Sequence, residues 1–113
     1  MTLRADDRVL LLVMPPAAEL LAIATTLTDG LLVGLASTEQ VYEARKTVAD
    51  FENTMFAPED PEGVIPWRDH FFTVIYAPHL STVTDEIQRV LASGGNAYLA
   101  ASTYTKPDDK AAS

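Results

Sequence analysis

Short, dense apolar runs alternate along this chain with longer segments whose apolar residues recur at helical spacing. Residues 8–13 (R-V-L-L-L-V) form a continuous branched run, the mark of a strand buried on both faces of a parallel sheet. Met14-Pro15-Pro16 breaks it. Ala17, Leu20, Leu21, Ala24, Leu27 and Thr28 share one helical face, which predicts a helix over residues 17–28. Asp29-Gly30 ends that helix, with Gly30 suited to the left-handed position after it. Residues 31–36 predict a second buried strand. Ser37 or Thr38 can cap the next helix, whose apolar stripe is Val41, Ala44, Val48 and Phe51. Residues 53–57 predict a weaker third strand, and residues 58–63 (P-E-D-P-E-G) a loop. Residues 71–76 and 96–101 predict strands four and five. Val83, Ile87, Val90 and Leu91 face the core from the helix between them, and Ser93-Gly94-Gly95 closes it.

Strands alternating with helices imply a parallel sheet with right-handed crossovers. The expected architecture is an α/β, three-layer α/β/α sandwich around a five-stranded, mostly parallel sheet. At 113 residues one domain is expected, over residues 8–103. Residues 1–7 are a polar lead-in, and residues 104–113 are expected to be a disordered tail.

Composition narrows the chemistry. Hydrophobic residues make up 48% of the chain, enough for a packed core. No apolar run approaches the ~20 residues of a membrane span. The run at residues 9–13 lacks a basic leader and a cleavage site, so no signal peptide and no membrane association are expected, and the protein is expected to be cytoplasmic. There is no cysteine, which removes thiol catalysis and thiolate metal sites. The two histidines, His70 and His79, lie nine residues apart on opposite sides of a strand and make a poor metal pair. A net charge of −8 disfavours a nucleic-acid partner.

Two blocks carry a resemblance. Ile65-Pro66-Trp67-Arg68-Asp69 leads into Phe71-Phe72-Thr73-Val74-Ile75-Tyr76, and Glu86, Arg89-Val90-Leu91 and Gly94-Gly95 come after them. Together they resemble the class I S-adenosylmethionine-dependent methyltransferases, which are Rossmann-like. The resemblance runs from Arg8 to Ala101. It implies the strand order 3-2-1-4-5, a cofactor held at the first strand's exit, a ribose-binding acid after the second strand, and an adenine pocket in the loop before the fourth.

The chain departs from that pattern where the cofactor sits. Leu11 stands at the first strand's acidic position, and Val13, Pro15 and Ala17 stand at the three glycines. Those glycines let backbone approach the cofactor closely, and Pro15 and Pro16 also lack an N–H donor. Ala36 stands in place of the ribose acid, and Thr73 in place of the fourth strand's aspartate. The family's last two strands are expected to be missing, which would leave the fifth strand (N-A-Y-L-A-A) as an apolar edge open to pairing.

The leading expectation is a methyltransferase-like domain without catalysis, cofactor or metal, acting as an interaction or oligomerisation module. It would form a homodimer, or bind a protein partner, through the open edge or through apolar helix faces. The alternative is a minimal methyltransferase or binder of S-adenosylmethionine acting on an unknown small molecule. In that case the resemblance places the cofactor against Met14, Ala36, Asp60 or Glu62, Ile65, Trp67 and Tyr76. A third expectation is an apolar crevice between strands one and four, walled by Met14, Pro15, Pro16, Tyr76, Ala77, Pro78 and His79. Burial habits favour Trp67 as a loop anchor over a stacking platform. Glu86 and Arg89 are expected to pair on a helix surface.

Overall fold

Strand β1 (Arg8–Leu11) is followed by α1 (Ala17–Thr26), β2 (Leu31–Ala36), α2 (Thr38–Thr47), β3 (Thr54–Pro58), β4 (Phe72–Tyr76), α3 (Asp85–Val90), β5 (Leu91–Tyr98) and β6 (Thr103–Thr105) in the computed structural model, which describes residues 2–107. The sheet order is β3-β2-β1-β4-β5-β6. All pairings are parallel except β5 with β6.

The sheet is buried on both faces, as its unbroken apolar strands require. On one face Val9, Leu11, Leu32 and Ala36 pack against Leu20, Ile23 and Ala24 of α1 and Val41 and Ala44 of α2. On the other, Leu10, Val33, Leu35 and Ile75 pack against Ile87 and Val90 of α3. The buried face of α1 is Leu20, Ile23, Ala24 and, just past its end, Leu27, while Ala17 and Leu21 are exposed. Ser37 is the cap of α2. Its Oγ accepts from the Gln40 N–H, and the Gln40 side chain accepts from the Ser37 N–H in return.

Three local expectations change. Gly30 does not adopt a left-handed conformation; the described residues with positive φ are His70, Gly63 and Gly94. Gly30 is needed for space, because a Cβ there would lie 2.1 Å from the Asp7 carbonyl oxygen. The lead-in is accordingly part of the fold. Asp7 is buried, and its carboxylate accepts from the Arg4 N–H and the Thr73 hydroxyl. Ser93-Gly94-Gly95 is not a helix-closing turn. β5 begins directly at Leu91, and its register with β4 jumps from Phe72↔Leu91 to Val74↔Asn96. The extra residues form a bulge in which Gly94 takes φ 79°.

The sheet does not stop at five strands. Thr103–Thr105 pairs antiparallel with Asn96–Tyr98, so β6 covers the β5 edge that was expected to be open. The alternating Thr-Tyr-Thr suits an edge strand, with Tyr104 packed on the α3-side core. Tyr104 and Thr105 therefore belong to the domain, while the rest of the expected disordered tail from residue 108 lies outside the described residues.

Candidate functional site

The parallel strands deliver their C-terminal ends to one side of the domain, where β1, β2, β3 and β4 each exit into a loop. At the β1 exit the chain leaves Leu11, which is fully buried at the family's acidic position. Leu12 continues the ladder by donating to the Tyr76 carbonyl at 2.9 Å. Pro15 is buried, and exposed Pro16 is the N-cap residue of α1, with no side-chain cap bond. Glu19 occupies the first turn of α1. A carboxylate already in place at the positive end of a helix opposes an anionic ligand there.

Met14 packs over β2. Its methyl group and the Phe56 ring lie over Gly34, 3.1 and 2.6 Å from where a Cβ would sit on that glycine. Met14 and Pro15 border a groove between α1 and α2 together with Glu39, Gln40 and Glu43. Tyr76 packs on the same side of the sheet. Ala36 is buried and carries no polar side-chain atom, and the Ser37 hydroxyl is committed to capping α2, so neither replaces a ribose-binding acid.

A cleft of about 190 Å³ opens on the α3 side of the β1 exit. Its floor is Leu12, Leu35, Ile65 and Ile87, and its rim carries Glu59, Asp60, His79, Leu80 and Thr84. Of the expected site residues it gathers Asp60, Ile65 and His79. Met14, Pro15, Pro16, Tyr76 and Pro78 stand outside it, so the expected single wall between strands one and four is split over the two faces of the sheet. A shallower hollow of about 550 Å³ shares Glu59, Asp60 and Gly63 with the cleft and adds Ala36, Ser37 and Thr38.

Asp60 shapes the loop that separates these two spaces. Its Oδ2 accepts from the Glu62 and Val64 N–H groups at 2.9 and 3.1 Å. That turn leaves Glu62 exposed and lining neither space. Trp67 also stays outside both, packed on Phe71 and Phe72 at centroid distances of 5.7 and 5.6 Å. It is a loop anchor.

The loop is held from α3. Arg89 donates to the Ile65 and Trp67 carbonyls, each at 2.7 Å, to Asp69 at 2.9 Å, and to Glu86 at 2.8 Å. Glu86 Oε1 in turn accepts from the Ile65 N–H at 3.0 Å. The hydrogen bond from Arg89, and then that from Ile65, hold the Glu86 carboxyl down at about 2. The pair expected on a helix surface thus reaches across to fix the cleft wall.

Sequence reasoning missed Leu12, Leu35, Glu59, Leu80 and Thr84. Thr84 was visible as the polar residue before D-E-I in the third helix, and it caps that helix by accepting from Ile87. Leu35 required knowing which face of β2 meets α3. Among the described residues no group of three or more His, Cys, Asp or Glu could hold a metal, and no helix is long and apolar enough to cross a membrane.

No family model matches the sequence, and no curated protein matches it. Solved structures do. The YcgJ protein from Bacillus subtilis superposes with a TM-score of 0.67 at 28% identity, over 85% of this chain and 44% of that one. A SAM-dependent methyltransferase from Aquifex aeolicus superposes at 0.69 and 19% identity, over 87% and 57%. A complex of the Haloferax volcanii Trm112 methyltransferase activator with a putative methyltransferase gives 0.70 at 24%, over 88% and 46%. The fold is the Rossmann-like fold of the class I methyltransferases, and the chain spans about half the length of these neighbours.

Proposed function

We propose that this domain keeps the methyltransferase fold without methyl-transfer chemistry or S-adenosylmethionine binding, and serves as an interaction module. One observation carries the reading: the β1–α1 turn. The family's glycines are there to admit a ligand against bare backbone. In this chain Pro15 is buried in that turn, and Met14 and Phe56 fill the space over Gly34. Leu11 and Ala36 leave no carboxylate at either family position, and a ribose placed there would lose its acceptors at roughly 1–3 kcal/mol for each unpaired group.

The interaction role draws on the other edge of the sheet. With β5 covered, β3 is the outer strand opposite β6, and Met55 on it is 51% exposed. A neighbour of the same fold, the Haloferax protein, is held in a complex with its Trm112 activator, so a partner-binding surface on this architecture has a precedent. We place self-association or a protein partner at the β3 side.

A second reading, a minimal cofactor binder, draws on the two spaces that meet at Asp60, one apolar and one beside Ser37. The cleft volume of about 190 Å³ is below the ~300 Å³ at which small-molecule pockets usually begin, and the hollow of about 550 Å³ is shallow and open to solvent. Calorimetric titration with S-adenosylhomocysteine, paired with thermal melting in excess ligand, decides between the two. The expected outcome is no heat and no shift. A ligand at ~100 times its dissociation constant would stabilise a true binder by ~2.7 kcal/mol, a shift of several degrees, and that result would overturn the first reading in favour of the second.

A further inference from the structure

Strand β6 is short and exposed at both threonines; it is held by its pairing with β5, by Tyr104 on the core, by Thr105 bonding the Asn96 side chain, and by Lys106 just past its end. The Gly94 N–H donates to the Lys106 carbonyl and the Lys106 N–H to the Gly95 carbonyl, both at 2.9 Å, so the ladder runs on into the bulge. The Lys106 ammonium then meets three acceptors: the Gln88 carbonyl at 2.7 Å, the Leu91 carbonyl at 2.8 Å and His70 Nδ1 at 3.0 Å. An ammonium has three donors and no acceptor. The two carbonyls lie at the C-terminal end of α3, where helix carbonyls lack intrahelical partners and the dipole favours a cation. The third acceptor is the one that can be switched off. A ring nitrogen that accepts from an ammonium must be unprotonated. His70 is held facing the strap by its left-handed backbone, φ 55°, and by its N–H donating to the Arg89 carbonyl at 2.9 Å.

We propose that His70 and Lys106 form a proton-sensitive latch on β6. Protonation of His70 places a proton on Nδ1, removes the acceptor and sets two cations at hydrogen-bonding distance. The strap loosens, and the outer edge of β5 is exposed. Histidine is the side chain that ordinarily changes charge between pH 5 and 8. The other charged groups around the latch are engaged elsewhere. Arg89 and Asp69 pair with each other at 2.9 Å, Glu86 pairs with Arg89, Arg8 donates to the Phe71 carbonyl, and Arg68 lies over the Phe71 ring. Asp108 and Asp109 come next in sequence, outside the described residues.

Amide exchange at Gly94 and Lys106, corrected for intrinsic rates and followed by NMR from pH 8 to pH 5, tests this. Protection at both amides is expected to fall roughly fivefold, the scale of a surface contact, with the midpoint of the His70 ring titration. In His70→Asn, which tolerates the left-handed backbone and does not titrate, protection should be independent of pH over this range. In Lys106→Met it should be low throughout. Unchanged protection in the wild type, or the same fall in His70→Asn, overturns the latch. Neither outcome depends on whether the domain binds S-adenosylhomocysteine.

Discussion

Glycine in this chain acts by absence of a side chain more than by conformational freedom. Gly30 is the clearest case. It sits where Leu31 N–H donates to the Asp7 carbonyl, and that carbonyl fills the space a methyl group would need. Gly30→Ala should therefore push the lead-in off β2 and lower unfolding free energy by about 1–3 kcal/mol, the range for overpacking. Chemical denaturation at pH 7 measures it; a change within a few tenths of a kcal/mol would show that Asp7 is held less tightly than its geometry implies. Periodicity and turn habits could place a glycine after the helix. They could not say that a carbonyl from the lead-in, on the far side of β1 and α1 in the chain, would lie against it.

At the scale of elements, the loop from Asp60 to Asp69 has no helix or strand of its own and depends on α3. Glu86 and Arg89 hold it by four hydrogen bonds to the backbone or side chains of Ile65, Trp67 and Asp69, and two more join Glu86 and Arg89 to each other. Because the folded Glu86 carboxyl sits at about 2, below its ordinary 4.5, its stabilising effect is complete above that ordinary value and disappears as pH falls towards 2. Glu86→Gln should lower the melting temperature at pH 7, and its deficit against the wild type should shrink between pH 5 and pH 2.5. A deficit that stays constant across that interval would mean the carboxylate's charge is not what holds the loop. The motif residues E-x-x-R were legible in the sequence, but only as a surface pair. Their reach across the loop depends on β4 and α3 being side by side.

For the whole molecule, the proposed interaction role turns on the edge strands. β6 closes the β5 side, and at β3 Arg45 donates to the Phe56 carbonyl at 2.7 Å, leaving Met55 as the exposed apolar residue of that edge. If the domain self-associates through β3, Met55→Lys should shift it towards monomer in light scattering over micromolar concentrations, while Leu99→Lys, where it remains folded, should not. A wild type that is monomeric throughout, or a dimer insensitive to Met55→Lys, would remove β3 as the interface.

The sheet order 3-2-1-4-5 came from the family resemblance; by itself the sequence determined the α/β class, the boundaries of β2, a cap for α2 at Ser37 or Thr38, and the altered β1–α1 turn. These come from local physics: unbroken branched runs must be buried on both faces, and a side chain in place of glycine adds atoms whatever surrounds it. Only the tertiary structure decided the rest. The bulge at Gly94-Gly95 exists because β4 and β5 must pair on both sides of extra residues. Three residues beyond the fifth strand become β6 because an unpaired edge is there to receive them and Lys106 finds carbonyls at the end of α3. The expected crevice residues divide between two faces because successive side chains of a strand point opposite ways, and what each face meets depends on helices that lie far away in the chain.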